Sequence, residues 1–594
     1  MTRHMPRAGG PASAAAQVAA HVLALVDDPA TATVGWDIDW QGPLPVSLPD
    51  ERAVQAACGI MHVHGRAAGR PTPLAADYAS TVAGVLTAQG VCAALVARAA
   101  GADVTRVRTS VSQAALLALA QYLAAATADG DDAEDGHERG TASSDPRVEG
   151  EAYLAPGGCP FVSADGVRFE LETLDAHRWL DFWQRLGVDR RETGRGWRPF
   201  QQRFATATCS LPEALPETVQ RASYAVVRAA ADRAGVAVLP VREDPLPPTV
   251  TRPWTLTPCP GPAGAAIGRP RTGGASRRAG PTAGAPLAGL RVVESTRRVQ
   301  GPLAGHVLRL LGADVVRVEP PGGDPMRGIP PLAGTCSARF SALNAGKAVT
   351  EIDFTSAKGR QEVRELVSEA DVFLHNWAPG KAAELGLDHE DLSSVRPGLV
   401  YAWASGWGDA LGPAPPVGTD YLVQAHSGLA AAVRPAHEPP APSLLTLTDV
   451  LGGLVSAQGV LAGLLARRRT GDGQRVDSSL FSAAALVPRR RRWAGWTDRP
   501  LRTRDGYLSL GPEARERPDR LARALELGAS AGMAEIVSRA RTRATAAWLP
   551  RLAAAGLAVT PVCTSLADLA RDPRFAPALA VGEYAAPLAP WEFS

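Results

Sequence analysis

The chain has 594 residues, 45% hydrophobic and 21% charged, with a net charge of +2. That length calls for more than one domain, and the near-neutral balance asks for neither a nucleic-acid nor a membrane partner. The seven cysteines are scattered, with no CxxC pair, so neither a metal site nor a disulfide framework is indicated; a reducing cytoplasm fits.

Taken in order, the chain begins with Arg3 and Arg7 before an Ala-rich run, Ala14 to Val26, that Gln17 and His21 interrupt. This reads as an amphipathic helix and not as a signal peptide. No stretch of about 18 or more apolar residues argues for a membrane span.

Three words then occur twice. VQAACGI (Val54 to Ile60) returns as VQAHSGL (Val423 to Leu429), AQGVCAALVAR (Ala88 to Arg98) as AQGVLAGLLAR (Ala457 to Arg467), and VRTSVSQAALL (Val107 to Leu117) as VDSSLFSAAAL (Val476 to Leu486). Val423 minus Val54, Ala457 minus Ala88 and Val476 minus Val107 each give 369, an ungapped correspondence that signals an internal duplication. Looser matches extend it. Asp165-Gly166 and Asp505-Gly506 each read as a turn feeding a strand, GVAVLPV and GLAVTPV end at Val241 and Val562, and Pro253-Trp254 and Pro590-Trp591 follow.

A polar stretch, Asp129 to Asp145, reads as a disordered loop inside the first copy. A Gly/Pro/Ala/Arg-rich linker follows that copy. The expected division is a partial, degenerate module over 1–257, a linker over 258–286, a large domain over 287–486 and a small α+β domain over 487–594.

The large domain opens with a segment that has no repeat partner in sequence. Strands are expected at Leu287 to Ser295, Asp314 to Asp324, Ala348 to Phe354, Asp371 to Trp377 and Gly398 to Gly408, with helices at Gly301 to Ala313 and Gly359 to Ala370. Alternation of this kind predicts an α/β fold, an open, doubly wound, mainly parallel Rossmann-like sheet. Ligands in such sheets bind beyond the carboxyl ends of the strands. Three loops leave those ends, at Ser295 to Pro302, Pro320 to Arg327 and Asn376 to Gly380.

Ala441 to Val476 places one acid, Asp449, at the start of an apolar run with helical spacing, among the small residues Gly452, Gly453, Ser456, Ala457 and Gly459. The residue suits an N-cap as well as a catalytic carboxylate held at a helix N-terminus.

PLAGLRVVE, GPLAGHVLRLLGADVVRVEPPGGDPMR, NAGKAVTEIDF, ADVFLHNWAPGKAAELGL, YAWASGWGDALGP, DYLVQAHSGL and TDVLGGLVSAQGVLAGLLARRRTGDGQRVD stand in this order. Together they resemble the class III CoA-transferases, the family of formyl-CoA transferase, carnitine CoA-transferase and alpha-methylacyl-CoA racemase. The resemblance covers about residues 286 to 594, and the first copy matches only the family's second half. It implies an acyl-CoA:carboxylate CoA-transferase with Asp449 as the nucleophile that takes the acyl group from sulfur. It further implies Arg298, Val299, Gln300, Ile352, Asn376 and Trp377 around the CoA thioester, although Trp377 suits core packing equally. The implied substrates are an acyl-CoA and a carboxylic acid. No tightly bound cofactor and no metal are implied. The resemblance also implies a homodimer or an intrachain pseudo-dimer.

Departures from the family pattern are visible. Pro320 follows Glu319 where many relatives place a basic residue, and Glu384 stands where some have Arg; the run Arg489 to Arg492 is one alternative phosphate contact. Neither the glycine-rich lid between Val487 and Arg504 nor the closing helical tail is recognisable. Asp324 and Arg327 are expected as an ion pair. Thr419 stands where racemases carry His and cannot transfer a proton, which argues against racemisation; His426 reads as structural. Position 449 less 369 is Ser80, so the first copy is expected to be silent, leaving a non-catalytic CoA-binding or scaffold role as the alternative for the whole chain.

Overall fold

A computed structural model describes residues 13–128, 161–244, 252–259, 280–489 and 495–594. Arg3, Arg7, the stretch 129–145, most of the linker and Arg490 to Arg492 lie outside them.

The first copy opens with helix α1 (Ser13–Val26), which buries Ala15, Val18, Ala19, Val22, Leu23 and Val26, the helical stripe expected of an amphipathic segment. Strand β1 (Gly35–Asp39), α2 (Glu51–Ala57), the long α3 (Tyr78–Arg98) and β2 (Arg106–Ser110) follow. A small domain comes next, with an antiparallel sheet of Phe161–Val162, Arg168–Glu172 and Ala237–Pro240. Its core is built on Trp179, Trp183 and Phe200. The copy ends in β3 (Trp254–Cys259), so regular structure continues two residues into the expected linker.

The second copy supplies β4 (Arg291–Ser295), α4 (Gln300–Leu310), β5 (Asp314–Glu319), β6 (Ala348–Glu351), β7 (Val372–His375), β8 (Val400–Ser405), α5 (Asp420–Ser427), α6 (Leu447–Thr470) and β9 (Gly473–Ser479). Its small domain pairs Leu501–Arg502, Tyr507–Leu510 and Val559–Pro561, and the described chain closes with β10 (Glu592–Phe593).

The large sheet runs β6-β5-β4-β7-β8-β9-β3. The six strands of the second copy are mutually parallel, and β3 joins the edge antiparallel. This is the doubly wound order, in which the direction of winding reverses between the first and fourth strands, here β4 and β7. In sheets of this order the ligand crevice lies at the carboxyl ends of these two strands.

The copies are interlocked. β3, from the first copy, pairs with β9 of the second, and β10, from the second, pairs with β2 of the first. Val476 faces Leu256, and its repeat partner Val107 faces Phe593. Each exchanged strand carries a tryptophan that rests on a glycine of the other copy's long helix. A Cβ at Gly459 would lie 3.3 Å from Trp254, and one at Gly90, its repeat partner, 2.8 Å from Trp591. The small domains are exchanged as well: Arg242 N donates to Ala425 O on α5, and Cys563 N to Ala56 O on α2. Helices α3 and α6 cross at the centre, where Gln89 Nε2 donates to Leu454 O at 2.7 Å. Both are long and apolar enough to span a bilayer, but here both are buried in the shared core.

The first copy keeps more of the large domain than its sequence suggests. α1 packs on Gly84 of α3 as α4 packs on Gly453 of α6, two glycines separated by the repeat offset. The parallel pair β1–β2 with β10 at its edge likewise reproduces β8–β9–β3. Shared words are missing because α1 keeps only a buried stripe and β1 only its backbone pairing, with none of its residues buried.

Candidate active site

Asp449 is the third residue of α6, not its cap; the cap position is Thr446, which makes no side-chain capping bond. The free N–H groups of that first turn are satisfied from outside. Asp420, at the start of α5, accepts from Asp449 N at 2.9 Å, from Thr448 N, from Thr448 Oγ1 at 2.7 Å, and from Gln424 Nε2. A buried carboxylate on a helix N-terminus gains from both the hydrogen bonds and the macrodipole. Nothing in the word Gly418-Thr419-Asp420 announces this role for Asp420. A signal is present in the repeat, since Asp420 and Glu51 stand at the same offset of 369.

Asp449 is the opposite case. It is partly buried, and its carboxylate makes no hydrogen bond or ion pair among the described residues. Burial pushes its pKa well above the usual carboxylate range, the Asp420 charge pushes in the same direction, Arg298 opposes, and Glu172 raises it further. Burial also pushes Asp420 up to about 6, against its hydrogen bonds. The network therefore favours negative charge on Asp420 and a proton on Asp449.

The first copy builds part of this site. Tyr78 donates to Leu447 O at 3.0 Å and Gln121 Nε2 to Thr446 Oγ1 at 2.9 Å, fastening the turn that enters α6. Glu172 comes from the first copy's small domain, where Arg203 holds it at 3.0 Å and lies over the rings of Phe200 and Tyr421. Reading one copy at a time could not reveal these contributions.

At the repeat-related position in the first copy, Ser80 is fully buried and gives its hydroxyl to Glu51 at 2.6 Å. Glu51 also accepts from Ala79 N and Ser80 N, as Asp420 accepts from Thr448 N and Asp449 N. The longer acid and the serine saturate one another, leaving no free carboxylate at that position.

The residues expected around CoA fall into two groups. Arg298, Val299, Gln300 and Asn376 lie in the loops that leave the carboxyl ends of β4 and β7. Arg297 N donates to Asn376 Oδ1 at 2.9 Å and Asn376 Nδ2 to Arg297 O at 2.8 Å, tying the two loops together. Next to this clamp Arg298 is exposed, with φ +69, a left-handed conformation that costs a side-chain-bearing residue about 1–3 kcal/mol. Val299 and Gln300 are buried. Gln300 Nε2 donates to Ser405 O at 3.1 Å, and a Cβ at Gly452 or Gly453, one turn beyond Asp449, would lie 3.0 Å or less from Gln300.

Trp377 and Ile352 belong to the second group. The Trp377 ring stacks on Phe354 with centroids 5.5 Å apart, and its Nε1 donates to Ser295 Oγ. Ile352 is buried with Val293, Val318 and Phe373. Both pack against the hydrophobic cluster beside the sheet, so Ile352 supports the crevice from within.

The expected Asp324–Arg327 pair does not form. Asp324 binds Arg317, while Arg327 binds Glu319 at 2.8 Å. Arg317 also meets Glu294 at 3.0 Å, and Lys347 Nζ meets the same Glu294 at 2.9 Å. Burial lowers Lys347 to about 8. A buried guanidinium with several acids in reach outcompetes a partly exposed one for Asp324. Arg489 is spent on Ser427 O. His426 lies against Trp407 and Phe481.

The sequence model of CoA-transferase family III matches residues 50–245 and 287–492, one segment in each copy. The chain belongs to CoA-transferase family III. Among curated family members, the succinyl-CoA:glutarate CoA-transferase of Mus musculus is 33% identical over 245 residues, covering 38% of this chain and 56% of that one. The acetyl-CoA:oxalate CoA-transferase of Acetobacter aceti is 33% identical over 241 residues, covering 39% and 62%. A probable fatty acyl-CoA transferase of Mycobacterium tuberculosis is 33% identical over 259 residues, covering 38% and 65%. The chain thus spans between half and two thirds of these relatives. A solved CAIB/BAIF family protein from Brucella suis is 28% identical with a TM-score of 0.47, covering 51% of this chain and 92% of that one.

Proposed function

We propose that this chain moves CoA between an acyl-CoA thioester and a carboxylic acid, with Asp449 as the covalent nucleophile. One observation carries the reading: among the described residues, Asp449 is an unpartnered carboxylate in the first turn of α6, half-buried beside the saturated Asp420. An Asp449 oxygen attacks the thioester carbonyl, the C–S bond breaks, and a mixed anhydride and CoA thiolate result. The thiolate attacks the Asp449 carbonyl, releasing the donor acid and leaving an aspartyl-CoA thioester. The acceptor carboxylate then attacks that thioester, and the thiolate closes the cycle on the new acyl carbonyl. Each step exchanges one acyl bond for another, and Asp449 is regenerated. The raised pKa of Asp449 sets a condition: it must lose its proton before attack.

The crevice between β4 and β7 would receive CoA, with Asn376 fixing the Arg297–Gln300 loop. The first copy acts as a silent partner module in cis, and one chain carries one site. Incubation with an acyl-CoA followed by hydroxylamine should leave a hydroxamate on Asp449, detected by mass spectrometry. An unmodified protein that still binds CoA would favour a non-catalytic CoA-binding role.

A further inference from the structure

Among the described residues, no hydrogen bond or ion pair steadies the Asp449 carboxylate. Its direction is therefore set by the backbone of the first turn of α6. Two sides grip that turn. From the second copy, Asp420 takes Thr448 N and Asp449 N. From the first copy, Gln121 Nε2 donates to Thr446 Oγ1 at 2.9 Å and the Tyr78 hydroxyl to Leu447 O at 3.0 Å. Among the described residues, no side chain of the second copy hydrogen-bonds Thr446 or Leu447. Tyr421 and Gln424 of α5 reach this segment only upstream, at the carbonyls of Ser443, Leu444 and Leu445.

The repeat separates what the module needs from what the nucleophile needs. Asp77 and Thr446, repeat partners, precede the two long helices with nearly the same backbone, φ −79 and ψ 62 against φ −72 and ψ 68. Neither caps its helix with its side chain. In both copies the acid of a neighbouring helix does so, Glu51 in the first and Asp420 in the second. The turn is thus common to both copies, but its fastening is not. Tyr78 and Leu447 are also repeat partners, at the offset of 369. Tyr78 reaches across to Leu447 O, and Leu447 has no polar side chain with which to return the bond. The hydroxyl stands in the copy that carries Ser80 and serves the copy that carries Asp449. Tyr78 is 1% exposed and Gln121 4%, so water does not compete for either donor.

Resting on the transferase reading above, we infer that Tyr78 and Gln121 are positioning residues for Asp449: the first copy has no carboxylate of its own at that position but supplies the groups that aim the other copy's. Both act through the backbone of residues 446–449. Attack on a thioester carbon demands one approach of the carboxylate oxygen, and a displacement of about 1 Å can cost about 10²-fold in rate. Removing the hydroxyl at Leu447 O loosens the turn two residues ahead of the nucleophile. It leaves untouched the Arg297–Asn376 clamp between the loops at the carboxyl ends of β4 and β7.

The test uses the full chain, with succinyl-CoA and glutarate as the probe pair and sites counted by CoA binding in calorimetry. It compares Tyr78→Phe, Gln121→Met and Thr87→Val. Thr87 lies on the same helix as Tyr78, and its buried hydroxyl bonds Ala83 O and Thr109 Oγ1, away from the turn. Tyr78→Phe and Gln121→Met should each lower kcat per site by about tenfold, with KM within about twofold. The rate of Asp449 hydroxamate formation at saturating succinyl-CoA should fall by the same factor. Thr87→Val, which also loses a buried hydroxyl, should leave kcat unchanged. Should Tyr78→Phe fail to fold, Gln121→Met decides. An unchanged kcat in the folded variants, a rise in KM alone, or an equal fall in kcat for Thr87→Val overturns the inference and leaves the transferase reading intact. A wild-type chain that neither turns over nor forms the hydroxamate overturns both.

Discussion

Asp420 and Asp449 share one local field, and their different hydrogen-bonding decides which holds the proton. Among the described residues Asp420 has four donors to stabilise its charge and Asp449 has none, so ionising Asp449 costs more than ionising an ordinary carboxylate. If the ionised form attacks, activity rises with pH through an apparent pKa above the usual range near 4. A rate profile that is already flat from about pH 4 upward would contradict that role. Asp420→Asn removes the like charge, so the acid limb should move to lower pH, while Arg298→Gly removes the opposing charge and should move it higher. Replacing the nucleophile itself is more severe: Asp449→Ala should lower kcat by about 10⁴-fold or more. Circular dichroism should stay unchanged, because the lost carboxylate holds nothing in place.

At the scale of single elements, glycine separates two kinds of helix position. Gly453 lets α4 and α6 touch: a Cβ there would sit 2.6 Å from Gln300 O and 3.0 Å from Leu303 Cβ. Alanine gains about 1 kcal/mol of helix propensity, but must move backbone that cannot yield cheaply. Gly453→Ala should therefore destabilise by about 1–2 kcal/mol, and should also disturb the loop that carries Arg298. Gly194 lies exposed in the helix Arg190–Thr206, where an alanine methyl would meet nothing within 4 Å. Gly194→Ala should stabilise by about 0.5–1 kcal/mol in urea unfolding. The same contrast explains what could be read in advance. The periodicity of Leu451, Leu454, Val455, Leu461 and Leu464 marks α6, and the alternation of strands and helices marks the parallel sheet. The true cap of α6 was hidden because its acceptor, Asp420, sits on another helix, and short acids look alike in sequence whether saturated or free. Arg317 was hidden for a related reason: a strand position gives no warning that a buried guanidinium will gather Glu294, Glu319 and Asp324.

Across the whole molecule, the constant offset of 369 revealed two copies but not how they hold one another. Strand exchange cannot be read from a repeat, because β3 and β10 pair with partners in the opposite copy. Once exchanged, they make each half incomplete alone. Without residues 1–257 the sheet loses most of β3, Gly459 loses its cover from Trp254, and the turn into α6 loses Tyr78 and Gln121. At the other end, Trp591 is buried against Gly90 and donates to Leu86 O at 2.6 Å. Trp591→Ala should cost about 3–5 kcal/mol, the usual loss for a buried tryptophan, although it packs on the first copy, away from Asp449. Because linkage in one chain raises the effective concentration of the two halves, separation should be repairable. Chains ending at residue 259 and beginning at 280 should reassemble into an active complex when coexpressed. The second chain alone should be inactive or insoluble. A soluble fragment of residues 280–594 with full activity would show that the first copy contributes nothing to the site, and that Tyr78, Gln121 and Glu172 are dispensable.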